Sequence, residues 1–309
     1  MASWGKKRGG AQGWLALEFA ASRLDVAQGA LRPGASPQVV NLASYASGGD
    51  PQADLKRLRK GQHLERQRCV VLLTPGQYHF IQVEEPAVPA QELKDAVRWQ
   101  LKEFVDFSVE DATLDLLPIP ANGGRGGQTF AVIAQNSLLS QTIQLLQGAG
   151  MNLAAIDVPE VAQRNVAALF EDENRGLAFL HFNAHGGLLT FTYRGDLYGV
   201  RRIDITADQL QQAEGERRDQ LFERIGLEMQ RSLDNFERLY TSIPLSKLVL
   251  APCAQAEALM AYLGDLIFVP LHLADLTQVM DVAAVPELRE PALQGARLSL
   301  LGATLRGDV

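Results

Sequence analysis

Residues 176–205 read GLAFLHFNAHGGLLTFTYRGDLYGVRRIDI, and this stretch decides the fold. It begins with a continuous apolar run, Leu177 to Phe182, which is typical of a strand buried on both faces in the middle of a sheet. Turn residues at His185-Gly186-Gly187 and at Arg194-Gly195-Asp196 divide the rest of the stretch into two more strand-like runs. The stretch therefore predicts a three-stranded meander.

The start of this stretch has an echo near the N-terminus. Gly13 to Ala21 aligns with Gly176 to Ala184, and strand-like runs at Leu24 to Leu31 and Gln38 to Tyr45 complete a first meander. After each meander the apolar pattern alternates between helix and strand. Two copies of one unit, each with a meander followed by helix, strand, helix and strand, predict an internally duplicated α/β chain.

Apolar periodicity and turn residues place the other elements. The predicted helices cover residues 54–68, a segment after Ala90, 138–147, 159–170, 219–240, 255–263 and 298–305. The predicted strands cover residues 69–73, 78–83, 129–134, 153–156, 245–251 and 267–271. The strands 69–73 and 78–83 are expected to form an apolar pair interrupted at Pro75-Gly76, and the polar run 171–174 is expected to be the hinge between the halves.

Composition narrows the class of protein. With 309 residues, 47% of them apolar and 21% charged, the chain can form two domains and is not predicted to be disordered. A net charge of -7 argues against nucleic acid as a partner, because that role needs clustered cations. Cys69 and Cys253 lie beside apolar runs and are expected to be buried free thiols in a reducing compartment. Residues 1–12 are predicted to be a flexible tail, and no segment is apolar for long enough to span a membrane.

Several motifs that would indicate chemistry are incomplete. The segment NGGRGG at 122–127 lacks the Gly-Lys-Ser/Thr ending of a phosphate loop, so a flexible hairpin loop is favoured. His181 and His185 would share one face of a strand but lack a third metal ligand nearby, so no metal site is predicted. Neither a Gly-x-Ser-x-Gly elbow nor a metalloprotease helix motif is present, and nothing nominates a catalytic acid and base.

A family resemblance enters through residues 86–116. The motifs that carry it are Pro86-Ala87-Val88-Pro89, Glu92-Leu93, Ala96-Val97-Arg98-Trp99, Phe107, Leu114-Asp115, and later Arg231 to Phe236 and Leu300 to Gly307. They resemble PilM-type pilus assembly proteins, and among these the MshI-type proteins of the mannose-sensitive haemagglutinin (MSHA) pilus. The resemblance covers nearly the whole chain beyond Gly13. It implies a duplicated actin-like fold (ribonuclease H-like, ASKHA) with two mixed five-stranded sheets and flanking helices.

The resemblance also implies a division of the chain and a partner. The first actin-like subdomain is expected at 13–85 plus 128–172, an inserted subdomain at 86–127, and the second actin-like subdomain at 173–309. Such a protein is implied to bind the N-terminal cytoplasmic peptide of a PilN-like inner-membrane protein, in a groove between the first and second subdomains. Aromatic residues and arginine are common anchors in such grooves, and the candidates here are Arg98, Trp99, Phe104 and Phe107.

ATP in the central cleft is implied by the family, but the residues expected to bind it differ. In the first hairpin, Asp25 stands in place of a lysine, and a carboxylate there would repel each like charge about 5 Å away by roughly 3 kcal/mol. In the second hairpin, His181 replaces an acidic ligand of Mg²⁺, a cation for which imidazole is a poor ligand. The vestigial nucleotide site is predicted to comprise Glu18, Ala20, Ser22, Asp25, His181, Asn183, Gly186 and Pro252.

One wall of that cleft is also expected to be missing, since about a dozen residues separate Ile205 from the helix at Asp219, where the family usually inserts a subdomain. These differences predict a protein without a cofactor and without enzymatic activity: a cytoplasmic scaffold of a type IV pilus platform, held at the inner membrane by protein partners. The alternative is a divergent actin-like ATPase that binds ATP and Mg²⁺ through relocated ligands. A third hypothesis is polymerisation into a filament. A pilus assembly ATPase and a second copy in a weak homo-oligomer stay open as partners.

Overall fold

The structure is a computed structural model that describes residues 13–20, 22–62, 64, 67–121 and 127–307. The predicted tail at 1–12, residues 122–126 of the glycine-rich loop, and His63 lie outside the described residues. The described chain forms two five-stranded sheets and one three-stranded sheet.

The first half begins with the predicted meander. Its elements are β1 (Trp14–Ala20), β2 (Arg23–Ala30), β3 (Gln38–Ala46), α1 (Pro51–Gln62) and β4 (Arg68–Leu72). The meander is antiparallel, and β4 then runs parallel to β1. Four of the five residues of β4 are buried, as expected of a strand with sheet neighbours on both sides.

A separate sheet interrupts the first half. The next elements are β5 (His79–Glu84), α2 (Leu93–Gln100), β6 (Ala112–Pro118), β7 (Gln128–Gln135), α3 (Asn136–Gly148), β8 (Asn152–Asp157) and α4 (Pro159–Ala167). Strands β5, β7 and β6 form the three-stranded sheet, called here the inserted sheet, with β7 in the centre. Strand β8 returns to the first sheet and pairs with β4.

The inserted sheet corrects two expectations. The segments 69–73 and 78–83 do not pair with each other, because β4 is held between β1 and β8 whereas β5 pairs with β7. The boundaries expected at 85/86 and 127/128 fall inside the inserted sheet, since only β6 of its three strands lies within 86–127. The apolar residues of β5 and β7 pack on β6 and α2. Strands β5 and β7 therefore belong with the inserted sheet and not with the first actin-like subdomain.

The second half repeats the first without such a sheet. Its elements are β9 (Gly176–Asn183), β10 (Gly186–Tyr193), β11 (Asp196–Ile203), α5 (Ala207–Gln212), α6 (Gly215–Leu239), β12 (Leu245–Leu250), α7 (Ala256–Gly264), β13 (Leu271–Leu273) and α8 (Pro291–Ala303). The strand order β11-β10-β9-β12-β13 matches β3-β2-β1-β4-β8 in the first half, which confirms the predicted duplication.

Helix α6 has the predicted apolar face. Its buried residues recur every three or four positions, the period of an amphipathic helix, and include Phe222, Ile225, Met229, Leu233 and Phe236. The last strand and the last helix differ from prediction. Strand β13 is only three residues long and starts at Leu271, and α8 starts at Pro291, where proline is tolerated because the first helical turn needs no N–H.

Helices α4 and α8 lie between the two large sheets and form one core with both. Leu177 and Phe179 of β9 are buried in this core together with Val166 of α4 and Leu301 of α8. The helices approach closely because Gly302 has no side chain, and a Cβ there would lie 2.1 Å from the carbonyl oxygen of Ala162. The two halves are therefore joined through their helices, and the hairpins of the two meanders face each other.

Candidate functional site

A small cleft lies between the β1–β2 hairpin, the β9–β10 hairpin and α8. Its volume is about 330 Å³. Five of the eight residues predicted for the vestigial nucleotide site line it: Glu18, Ala20, Asp25, His181 and Asn183. Ser22 lies in the turn between β1 and β2, and Gly186 is the first residue of β10; both are outside the lining. Pro252 packs against α8, where its carbonyl oxygen would lie 1.9 Å from a Cβ on Gly295.

Asp25 is the centre of an ion cluster in this cleft. Its side chain is 1% exposed and accepts hydrogen bonds from Arg297 Nη1 at 2.6 Å and from Arg23 Nε at 2.8 Å. The Ser44 hydroxyl donates to the second carboxylate oxygen at 2.6 Å. Arg297 comes from α8, so the cluster ties the last helix to the first meander.

The cluster corrects the electrostatic expectation for Asp25. An isolated carboxylate would repel phosphate, but two arginines neutralise this one, and such charge-assisted hydrogen bonds are strong. Asp25 and its cations instead lie beside the first hairpin, where Arg297 also donates to the Ser44 hydroxyl at 2.7 Å. This side of the cleft is thus lined by the protein's own ion pairs.

Glu18 lies opposite Asp25 in the β1–β2 ladder. Burial raises the pKa of its carboxyl, and the facing charge of Asp25 raises it further, while Arg297 and Arg23 lower it. A carboxyl whose neutral form is favoured is poorly suited to hold a hard cation such as Mg²⁺.

His181 is held as a neutral imidazole. It is 1% exposed, and burial lowers its pKa to about 4. Its Nε2 lies 2.8 Å from the carbonyl oxygen of Gly295, so Nε2 carries the proton and donates it to that oxygen. His185 does not share a strand face with His181, because it lies in the turn between β9 and β10. Within the described residues, no group of three or more His, Cys, Asp or Glu side chains could hold a metal ion.

The connection from β11 to α6 is short, as the sequence predicts. It contains only α5, whose N-terminus has a capping box formed by Thr206 and Gln209. The amide of Gln255, the residue before α7, donates to the carbonyl oxygens of Leu210 and Ala213. These bonds hold the connection against the start of α7. No further subdomain covers the cleft on this side within residues 204–214.

A larger groove lies between the first sheet and the inserted sheet, and is called here the β8 groove. Its volume is about 830 Å³, and its lining comes from β6, β7, α3 and β8. Strand β8 is the edge of the first sheet, so one side of its backbone has no strand partner in the described chain. Most lining side chains are apolar, among them Leu139, Ile143, Leu153 and Ile156.

The four residues predicted to bind a partner do not converge on this groove. Arg98 Nη1 donates to the carbonyl oxygens of Val109 at 2.6 Å and Ala112 at 2.7 Å, so it holds the segment that leads into β6. Phe107 is half-buried, with its ring 5.5 Å from that of His79. Trp99 and Phe104 are 57% and 59% exposed and line a separate groove at the β5 edge of the inserted sheet.

Comparison with known proteins gives the fold a name. No family model and no curated protein matches the chain. Among solved structures it is similar to the PilM-PilN type IV pilus biogenesis complex, with 20% identity over 95% of this chain and 98% of that chain and a TM-score of 0.69. It is also similar to a Bacteroides thetaiotaomicron protein with an actin-like ATPase fold and unknown function, with 9% identity, 93% and 99% coverage and a TM-score of 0.51. The chain has an actin-like fold.

The chain also has a weaker similarity to a secretion protein. It is to the cytoplasmic domain of EpsL, an inner membrane component of the type II secretion system of Vibrio cholerae, with 16% identity over 96% of both chains and a TM-score of 0.49. In the described part of this actin-like chain, no helix combines the length and apolar character needed to cross a bilayer.

Some residues of the cleft and of the β8 groove were not predicted from the sequence. Arg297 was not predicted for the cleft, because it lies 272 positions from Asp25 and no motif links the two. The lining of the β8 groove was missed because it is drawn from several separate elements. The mixture of exposed and half-buried residues in Asn152 to Asp157 fits an edge strand, but this burial pattern is visible only in the structure.

Proposed function

We propose that this protein is a non-enzymatic cytoplasmic scaffold of a type IV pilus assembly platform, of the MSHA type. It binds the N-terminal cytoplasmic peptide of a PilN-like inner-membrane protein and is held at the membrane surface through that partner. The observation that carries the proposal is the β8 groove, an apolar channel with an open strand edge along one wall.

The geometry of the groove suits an extended peptide. An open edge offers backbone N–H and C=O groups for strand addition, while pockets beside it select alternate side chains. Ile143 of α3 is 36% exposed and faces the groove, where an apolar peptide side chain would cover it. The likeness over 95% of the chain to a PilM protein solved together with PilN supports a peptide of that kind.

The absence of enzymatic activity is supported by the cleft. The Asp25 cluster lines the cleft between the hairpins, and His181 is a neutral imidazole that donates to the protein's own backbone. Both groups are already bonded within the protein, which argues against a phosphate or a metal ion held by them.

Isothermal calorimetry with the N-terminal peptide of a PilN-like protein tests the proposal. Ile143→Glu places a charge in the apolar groove and is expected to weaken binding at least about tenfold. Leu227→Glu is the matched control, since Leu227 is 43% exposed on α6 and outside the groove. Trp99→Ala changes the separate groove at the β5 edge of the inserted sheet and is expected to leave the affinity for the peptide unchanged. No binding at high micromolar peptide, or equal losses in both Glu variants, would refute this function.

A further inference from the structure

A third groove lies between β11, α6 and the tip of β5, and is called here the α6 groove. Its volume is about 560 Å³, and it shares no lining residue with the cleft or with the β8 groove. Part of its lining belongs to Arg231-Ser232-Leu233-Asp234-Asn235-Phe236, a motif that neither the cleft nor the β8 groove uses.

Two strand edges border this groove. Strand β11 is the edge of the second sheet and β5 is the edge of the inserted sheet, so neither has a second strand neighbour among the described residues. At one end they are held together, because Arg202 of β11 donates to the hydroxyl of Tyr78, just before β5, at 2.7 Å. Farther along, Gln82 and Val200 line opposite walls of the open groove. Its walls therefore present backbone groups available for strand pairing.

Three arginines and two carboxylates, Glu228 and Asp234, line the groove, so its lining has an excess of positive charge although the chain as a whole has a net charge of -7. Arg231 and Arg238 are exposed on the same side of α6, seven positions or about 10 Å apart along the helix. Neither forms an ion pair with a carboxylate in the part of the chain that the structure describes, and Arg238 donates only to the amide oxygen of Asn235. Arg201 on β11 adds a third guanidinium, shared with Glu228 at 2.9 Å.

We propose that the α6 groove binds an acidic, extended segment of a second partner protein. The segment pairs with the open edge of β11 along Val200 and Arg201, beyond Tyr198, whose carbonyl oxygen already accepts from the Tyr240 hydroxyl. Its carboxylates accept hydrogen bonds from Arg231 and Arg238, since a guanidinium fork matches a carboxylate in shape and charge. An extended protein segment is favoured over nucleic acid because the strand edge gives a peptide backbone partners that a phosphate backbone cannot use.

This site goes beyond the proposed scaffold function and does not depend on it. The β8 groove lies at the β6 edge of the inserted sheet, and the α6 groove lies at its β5 edge. A scaffold with both could hold two segments from different proteins at once.

Fluorescence anisotropy with the full chain and two labelled peptides tests the proposal. The probes are the blocked hexapeptide Glu-Val-Glu-Val-Glu-Val, about 20 Å long when extended, and its Lys-Val counterpart. The acidic peptide is expected to bind saturably and to lose affinity with added salt, while the basic one does not bind. The double substitution Arg231→Glu and Arg238→Glu is expected to weaken binding of the acidic peptide at least about tenfold. Arg217→Glu, an exposed position near the start of the same helix, is the control and leaves binding unchanged.

Three results would overturn the proposal. These are equal binding of the acidic and basic peptides, equal affinity of the wild type and the double variant, or tighter binding of a labelled dT oligonucleotide than of the acidic peptide. Circular dichroism of the double variant excludes misfolding as the cause of a loss, because both arginines are exposed and their substitution leaves the buried face of α6 intact.

Discussion

The carboxylate of Asp25 is shared between Arg23, Arg297 and Ser44 and is almost fully buried. Removing one cation from a buried cluster leaves charge that is only partly compensated, which costs about 3 kcal/mol. We therefore expect Arg297→Gln to lower the free energy of unfolding by about 2 to 3 kcal/mol in urea titrations. Arg32→Gln, at an exposed arginine between β2 and β3, is the matched control and should change it by less than about 0.5 kcal/mol. Similar losses in both variants would mean that the cluster does not stabilise the fold.

The buried His181 is expected to make the folding stability of the protein depend on pH. Burial lowers its pKa from 6.5 to about 4, so between these values the unfolded chain binds a proton that the folded chain does not. Stability from this group is complete above pH 6.5 and is lost as the pH falls towards 4, by about 3 kcal/mol at most. Urea unfolding from pH 4.5 to 7 should show a smaller loss at low pH for His181→Gln than for the wild type. The exposed His185→Gln is the control, and a wild-type pH profile in the His181 variant would contradict this origin.

Single residues of the cleft could be predicted only in part from the sequence. The alignment of the two meanders brought Ala20 and Asp25 to the cleft opposite His181 and Asn183, because equivalent positions of duplicated hairpins meet across the molecule. Their partners could not be found in this way. Arg297 reaches Asp25 from α8, and local patterns contain no information on contacts of such sequence separation.

At the scale of elements, Arg98 fixes the junction between α2 and β6. Its guanidinium satisfies the carbonyl oxygens of Val109 and Ala112, and buried or half-buried acceptors left without a donor cost about 1 to 3 kcal/mol. Arg98→Ala should therefore lower the free energy of unfolding by about 2 kcal/mol. Trp99→Ala, next to it but largely exposed, should change it by less than about 1 kcal/mol. Thermal melts of both variants measure these losses of stability. A larger loss for Trp99→Ala than for Arg98→Ala would show that the Trp99 ring is packed in solution.

Elements with strong periodicity were predictable and short ones were not. The apolar face of α6 recurs over 25 residues, so its pattern alone predicts a helix. Strand β13 has three residues and is held by parallel pairing with β12 rather than by its own sequence. The pairing of β5 with β7 was also missed, because Pro75-Gly76 resembles a hairpin turn although β4 has its partners elsewhere.

For the whole molecule, duplication determines which surfaces are open. Each large sheet has one meander edge and one edge made by its last parallel strand. The inserted sheet lies beside the edge strand β8 of the first half and near the edge strand β11 of the second, and a groove forms at each place. Repetition in the sequence was enough to predict the two halves. The grooves arise from the placement of the inserted sheet between them, which sequence patterns do not specify.

The joined halves also predict how the molecule responds to nucleotide. The Asp25 cluster links α8 to the first meander beside the cleft without any ligand. A nucleotide bound with micromolar affinity at about 5 mM would stabilise the folded state by about 5 kcal/mol and raise the melting temperature by several degrees. We expect no such shift with Mg²⁺ and ATP, because binding would have to break buried ion pairs first. Mg²⁺ alone and ATP with a chelator are the controls, and a shift specific to Mg²⁺ with ATP would favour the divergent ATPase over the scaffold.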